Sequence, residues 1–131
     1  MSRDRVEAGS IWGDQIGYSR ALRTGNLVFV SGTTATGPDG KAMNPGDSYA
    51  QTKEVLRRIE LALTQLGLAM ADVVQTRMFV ADISRWEEIG RAHGEVFRES
   101  KPATSMIEVS RLIDPDLMIE MEAVAVADDG P

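Results

Sequence analysis

The sequence predicts an α+β domain of two layers: a mixed six-stranded sheet with two helices on one face. Three observations carry this reading. Val55, Leu56, Ile59, Ala62, Leu63 and Leu66 recur at three- and four-residue spacing, the apolar stripe of an amphipathic helix. Trp86, Ile89, His93, Val96 and Phe97 mark the buried side of a second helix. Around both lie short runs of period two, and residues 117–126 alternate most cleanly. Helices gathered on one face of a mixed sheet make a two-layer domain.

Residues 1–14 are polar and glycine-containing, the composition of a loosely held lead-in. Trp12 within it is a large apolar group, expected to pack against the domain or a neighbouring subunit. Residues 18–23 and 27–31 read as two strands, and Thr24-Gly25-Asn26 between them supplies the turn of a hairpin. A short third strand is expected before the first helix, around the Gly37-Pro38-Asp39-Gly40 turn. Ser48 followed by Gln51 fits a capping box, and Gly67 fits the C′ position that closes the helix.

Residues 73–80 form the next strand, with Val73, Gln75, Arg77 and Phe79 on one face and Val74, Thr76, Met78 and Val80 on the other. Ser84 with Glu87 makes a second capping box, and Lys101-Pro102 ends the second helix. Strands over 104–109 and 117–126 complete the sheet, joined through Asp114-Pro115-Asp116. In the last strand Leu117, Ile119, Met121, Ala123 and Ala125 point one way. Met118, Glu120, Glu122, Val124 and Val126 point the other. The second sheet face has no local element to cover it, which implies homo-oligomerisation.

At 131 residues the chain is expected to form one domain, 1–131, large enough to bury roughly two-thirds of its unfolded surface. It contains no cysteine, so thiol chemistry and thiolate metal sites are excluded, and a cytoplasmic location fits. One histidine makes a multi-histidine metal site an unpromising reading. The start of the chain lacks a signal peptide's apolar centre, and no apolar run approaches the roughly 18 residues of a membrane span. A net charge of −6 without a basic cluster argues against nucleic acid as a partner.

Two carboxylates on an otherwise apolar strand face are the best chemical clue. Glu120 and Glu122 lie two residues apart, roughly 7 Å, on the same side. Burial and a like-charged neighbour both raise a carboxyl pKa, which suits a general acid/base near neutral pH. The plainer reading is an ion pair with Arg20, Arg23 or Arg77. Arg77, amid an apolar strand, needs either a carboxylate partner or a ligand to hold. His93 reads as a satisfied core or interface histidine, and Ser31 and Ser105 have no paired base at a recognisable spacing. The Gly37-Pro38-Asp39-Gly40 segment is a turn, not a phosphate loop.

Pro102-Ala103-Thr104-Ser105 before one strand and Ile119-Glu120-Met121-Glu122-Ala123 in the next resemble the C-terminal signature of the RidA/YjgF family of enamine/imine deaminases. Gly17-Tyr18-Ser19, the hairpin and Phe29-Val30-Ser31-Gly32 resemble that family's first third, so the resemblance runs from about Gly17 to Val126. Members were formerly labelled endoribonuclease L-PSP or translation inhibitor. Three positions depart from the pattern. Thr104 stands where the family has an arginine, Thr33 where it has glutamine, and Gly90 about where many members have an asparagine.

The resemblance implies a homotrimer with small-molecule clefts between subunits, no cofactor, and hydrolysis of a 2-imino acid to a keto acid and ammonia. Glu120 matches the glutamate that positions the water. Ser31, Gly32, Ala103, Thr104 and Ser105 would line the cleft, and Tyr18 or Arg77 would help hold the ligand. The family arginine grips the substrate carboxylate in a bidentate fork. A hydrogen bond to a charged group is worth about 1.5–3 kcal/mol, so Thr104 in its place costs roughly ten- to a hundredfold in affinity and implies an altered substrate. The alternatives are a non-catalytic trimeric binding or chaperone-like protein and, less well supported by the charge, a ribonuclease.

Overall fold

The computed structural model describes residues 3–10 and 12–128. Its strands are β1 (Arg3–Glu7), β2 (Ser19–Thr24), β3 (Leu27–Thr34), β4 (Val73–Val80), β5 (Ala103–Glu108) and β6 (Ile119–Val126). Its long helices are α1 (Ser48–Gln65) and α2 (Trp86–Phe97). The sheet runs β1-β2-β3-β6-β4-β5, and only β4 and β5 are parallel. This is the mixed six-stranded α+β fold that the alternation and the two stripes predict.

The sixth strand is not the one expected. No separate strand lies between the hairpin and α1 among the described residues; only an isolated Thr36–Ala42 bridge closes the Gly37–Gly40 turn. Instead Arg3–Glu7, within the lead-in read as loosely held, pairs antiparallel with β2. Its alternation is almost wholly charged because both of its faces are exposed or half-exposed, so the period-two signal of a half-buried strand is absent. Trp12 is 52% exposed in this single chain.

One face of the sheet is the core. Ala21, Val28, Val30, Met78, Ile119 and Met121 are at most 3% exposed beneath the helices, against Val55, Ile59 and Leu63 of α1 and Ile89 of α2. A bulge between Val73 and Gln75 lets Val73 join Thr76, Met78 and Val80 on the core side and turns Val74 outward, reversing the expected facing of those two valines. Trp86 is 55% exposed at the start of α2 rather than part of its buried side.

The helix caps also differ from expectation. Asp47, not Ser48, caps α1 by accepting from the Ala50 N–H at 2.9 Å. Asp82, not Ser84, accepts from the Ser84 N–H at the single turn that leads into α2. An aspartate one residue earlier takes the start of α1, and one two residues earlier takes the turn before α2, whose own first turn has no side-chain cap. Gln51 is thereby released for another task. Fully buried, it donates to the carbonyls of Met43, Asn44 and Asp116 and accepts from the Met118 N–H at 2.7 Å. It ties α1 to the connection that delivers β6. Gly67 closes α1 as expected, at φ +83°, with Gly67 N–H on the Thr64 carbonyl and Leu68 N–H on that of Leu63.

Candidate active site on the open sheet face

The side chains that alternate away from the core define the second sheet face. Leu22, Phe29, Val124 and Gln75 share one row across it. Glu122, Arg77 and Ser105 share the next, and Glu120, Phe79 and Ile107 the one after. An open groove runs over Phe29, Ser31, Gln75, Arg77, Glu122 and Val124.

Glu120 lies one row beyond the Arg77–Glu122 end of this groove, where β3 bulges between Val30 and Thr33. The bulge brings Gly32 under the carboxyl group: a Cβ on Gly32 would lie 2.9 Å from the Glu120 carboxyl carbon. Any larger residue at 32 would have to move the carboxyl group aside. Glu120 is half-buried, and its pKa is raised, first by burial and then by the Glu122 charge, while Arg20 opposes the rise. Ser31 beside it donates to the Ser19 carbonyl at 2.7 Å, which fixes the bulge against β2.

The sequence offers Arg20 only as an ion-pair partner, yet it belongs to this cluster. Ala21 faces the core, so Arg20 faces the open side. Its Nη1 donates to the Gly32 carbonyl at 3.0 Å and to Thr33 Oγ1 at 2.8 Å, and its guanidinium lies 5.6 Å from the centre of the Tyr18 ring. Thr33, in the position of the expected glutamine, is fully buried and donates to the Ser31 carbonyl. Tyr18, Arg20, Gly32 and Glu120 therefore surround one bulge. The signal in the sequence was an arginine two residues from Tyr18 on a short strand, too common a pattern to single out.

Arg77 takes the ion-pair reading. It meets Glu122 at 3.4 Å, both half-exposed, and leans over the Phe79 ring at 5.6 Å. The pairing is with Glu122 and not Glu120, because Arg77 and Glu122 are register partners.

The chain matches the family model described as endoribonuclease L-PSP over residues 13–127. It is 38% identical to a RutC family protein of Pyrococcus abyssi, covering 82% of this chain and 84% of that one. It is 32% identical, over 82% of this chain and 85% of the other, to the 3-aminoacrylate deaminase RutC of Acinetobacter baylyi. Among solved structures it is similar to a Mycobacterium tuberculosis member of the YjgF family, at 49% identity and a TM-score of 0.87 over 96% of this chain and all of that one. The chain belongs to the RidA/YjgF family.

Members of the RidA/YjgF family deaminate enamines and imines. Against that background the position of Thr104 is informative. Thr104 lies on the helix side of β5, opposite to the face that carries Glu120. Its hydroxyl donates to the Pro102 carbonyl and meets Thr76 Oγ1 at 2.8 Å, and Thr76 in turn meets His93 Nε2 at 2.8 Å. With the Thr104 proton on Pro102, Thr76 gives its one proton to Thr104 and accepts from His93, which assigns the Nε2–H tautomer. Burial lowers the His93 pKa and favours the neutral ring. Within one RidA/YjgF chain, then, Tyr18, Ser31, Gly32 and Glu120 come together, Arg77 and Ser105 adjoin them, and Thr104 is separate. No described helix is long and apolar enough to cross a membrane.

Proposed function

We propose that this protein is a RidA-type hydrolase that converts a 2-imino acid, or its enamine tautomer, to a carbonyl product and ammonia in the cytoplasm. The observation that supports it most is Glu120 held half-buried over Gly32, with its pKa raised. As the carboxylate, Glu120 accepts a proton from a water that adds to the C=N carbon. As the acid, it returns that proton to nitrogen; the C–N bond then breaks, ammonia leaves and C=O forms. Water supplies the oxygen and both hydrogens of the balance, so the reaction as proposed consumes no cofactor.

The proposed assembly is a homotrimer, with clefts that join one copy's Glu120 face to another copy's β5 edge. Leu27, Phe29 and Val126 remain 37–44% exposed on the open face of the single chain, a surface suited to burial against a second copy. In such a cleft Ala103, Thr104 and Ser105 of one copy would line the site. A substrate preference different from that of arginine-bearing members follows from Thr104, whose hydroxyl is already engaged with Thr76 and Pro102.

The test is ammonia release from freshly generated 2-iminopropionate by Glu120→Ala and Glu122→Ala. Loss in the first alone supports the reading; equal activity in both sinks the assignment of Glu120. A binding protein without turnover is the second reading, favoured by the missing arginine. Thermal stabilisation by keto acids with no ammonia release by the native protein would establish it.

A further inference from the structure

We propose that Arg20 is the residue that holds the substrate's carboxylate in this protein, beside Glu120 at the Gly32 bulge. This deepens the deaminase reading and rests on it for the identity of the substrate. A 2-imino acid carries its carboxylate one bond from the carbon that water attacks. Whatever grips that carboxylate must therefore lie beside Glu120.

Three basic or polar groups compete for the role, and two are committed elsewhere. Thr104 has only a neutral hydroxyl, and that is spent on Thr76 and Pro102. Arg77 faces the open side but is neutralised by Glu122 at 3.4 Å. Arg20 is different. Its Nη1 is anchored on the Gly32 carbonyl and Thr33 Oγ1, both neutral acceptors, so its positive charge is not cancelled by a carboxylate in contact. Among the described residues, its Nε and Nη2 have no hydrogen-bond partner. Two donors remain for an anion on a guanidinium already fixed in place.

Pre-fixing matters because a guanidinium loses less freedom per bond formed when its plane is already set. The Tyr18 ring, 5.6 Å from the guanidinium carbon, borders the same group. Arg20 and Glu120 flank one peptide, since Arg20 holds the Gly32 carbonyl and Glu120 covers the Gly32 α-carbon. They are close enough to feel each other's charge, yet they form no ion pair among the described residues. A small planar acid matches this pair of side chains chemically: anion toward Arg20, reacting carbon toward Glu120.

The experiment is calorimetric titration of the full-length protein with pyruvate and with its uncharged amide, pyruvamide, alongside 2-iminopropionate kinetics. Arg20→Gln should weaken pyruvate at least tenfold, leave pyruvamide within about twofold, and raise KM far more than it lowers kcat. Arg20→Lys keeps the charge and one donor for the Gly32 carbonyl, and should fall between the two; its melting temperature shows that the bulge survives. Unchanged pyruvate affinity in Arg20→Gln overturns the proposal. So does equal weakening of pyruvate and pyruvamide, which would make Arg20 structural, and so does absence of pyruvate binding by the native protein. Pyruvate held through Arg20 without any ammonia release would leave this inference standing and remove the deaminase reading. Turnover with KM indifferent to Arg20 would do the reverse.

Discussion

Glu120 and Gly32 occupy one another's space: the carboxyl group fills the place where a side chain on residue 32 would begin. The β3 bulge and the carboxylate are therefore one device. Gly32→Ala should push Glu120 off the bulge and cut turnover roughly a hundredfold, as small misplacements of a reacting group do. The far-ultraviolet circular dichroism should remain native. Turnover within threefold of native in a folded Gly32→Ala protein would show that the close approach is incidental.

The raised pKa of Glu120 has a consequence for stability. Its folded pKa lies above the unfolded value, so the folded state binds the extra proton more tightly. Stability is gained as pH falls through the folded pKa, and the ionised group is a cost above it. Glu120→Gln should thus melt higher than native at pH 8, with the difference shrinking toward pH 4, while turnover is lost. Melting curves across that range decide it; a lower melting temperature at pH 8 contradicts the cause assigned here.

Glu54 shows the opposite sign. Arg57 and Arg58 both bond its carboxylate, which holds its pKa down at about 2 against an ordinary 4.5. Stability from this group is complete above pH 4.5 and is lost as pH falls toward 2. Arg58 also donates to the Thr34 carbonyl at 2.8 Å, so the network reaches the end of β3. Glu54→Gln should cost about 1 kcal/mol at pH 7, a cost that shrinks steadily between those two limits. Urea midpoints at several pH values would show this convergence.

Gln51 carries four hydrogen bonds between α1 and two loops, with no exposure to water. Gln51→Leu would leave the Met118 N–H and the three carbonyls to find other partners. The expected loss is about 3 kcal/mol, or roughly 10 °C in melting temperature. A loss under 1 kcal/mol would mean that water replaces the side chain.

These residues also show what could be read from the chain. The helix stripes, the alternation of 117–126 and the Gly67 stop were legible because each depends on local periodicity or on one backbone conformation. Gln51 was not: its spacing from Ser48 matched a capping box, while its true partners lie up to 67 positions away. Strand β1 was hidden because both its faces meet solvent. Glu120 was legible as a charge on an apolar strand. Arg20 and Thr104 were not placed, because the β3 bulge and the facing of β5 are set by tertiary pairing.

The most direct measurement is the initial rate of ammonia release from freshly generated 2-iminopropionate, with native protein, Glu120→Gln and buffer alone. If Glu120 carries the hydrolysis, the native rate is well above buffer and proportional to protein, and the Glu120→Gln rate is indistinguishable from buffer. A native rate equal to buffer, or a Glu120→Gln protein as fast as native, would contradict it.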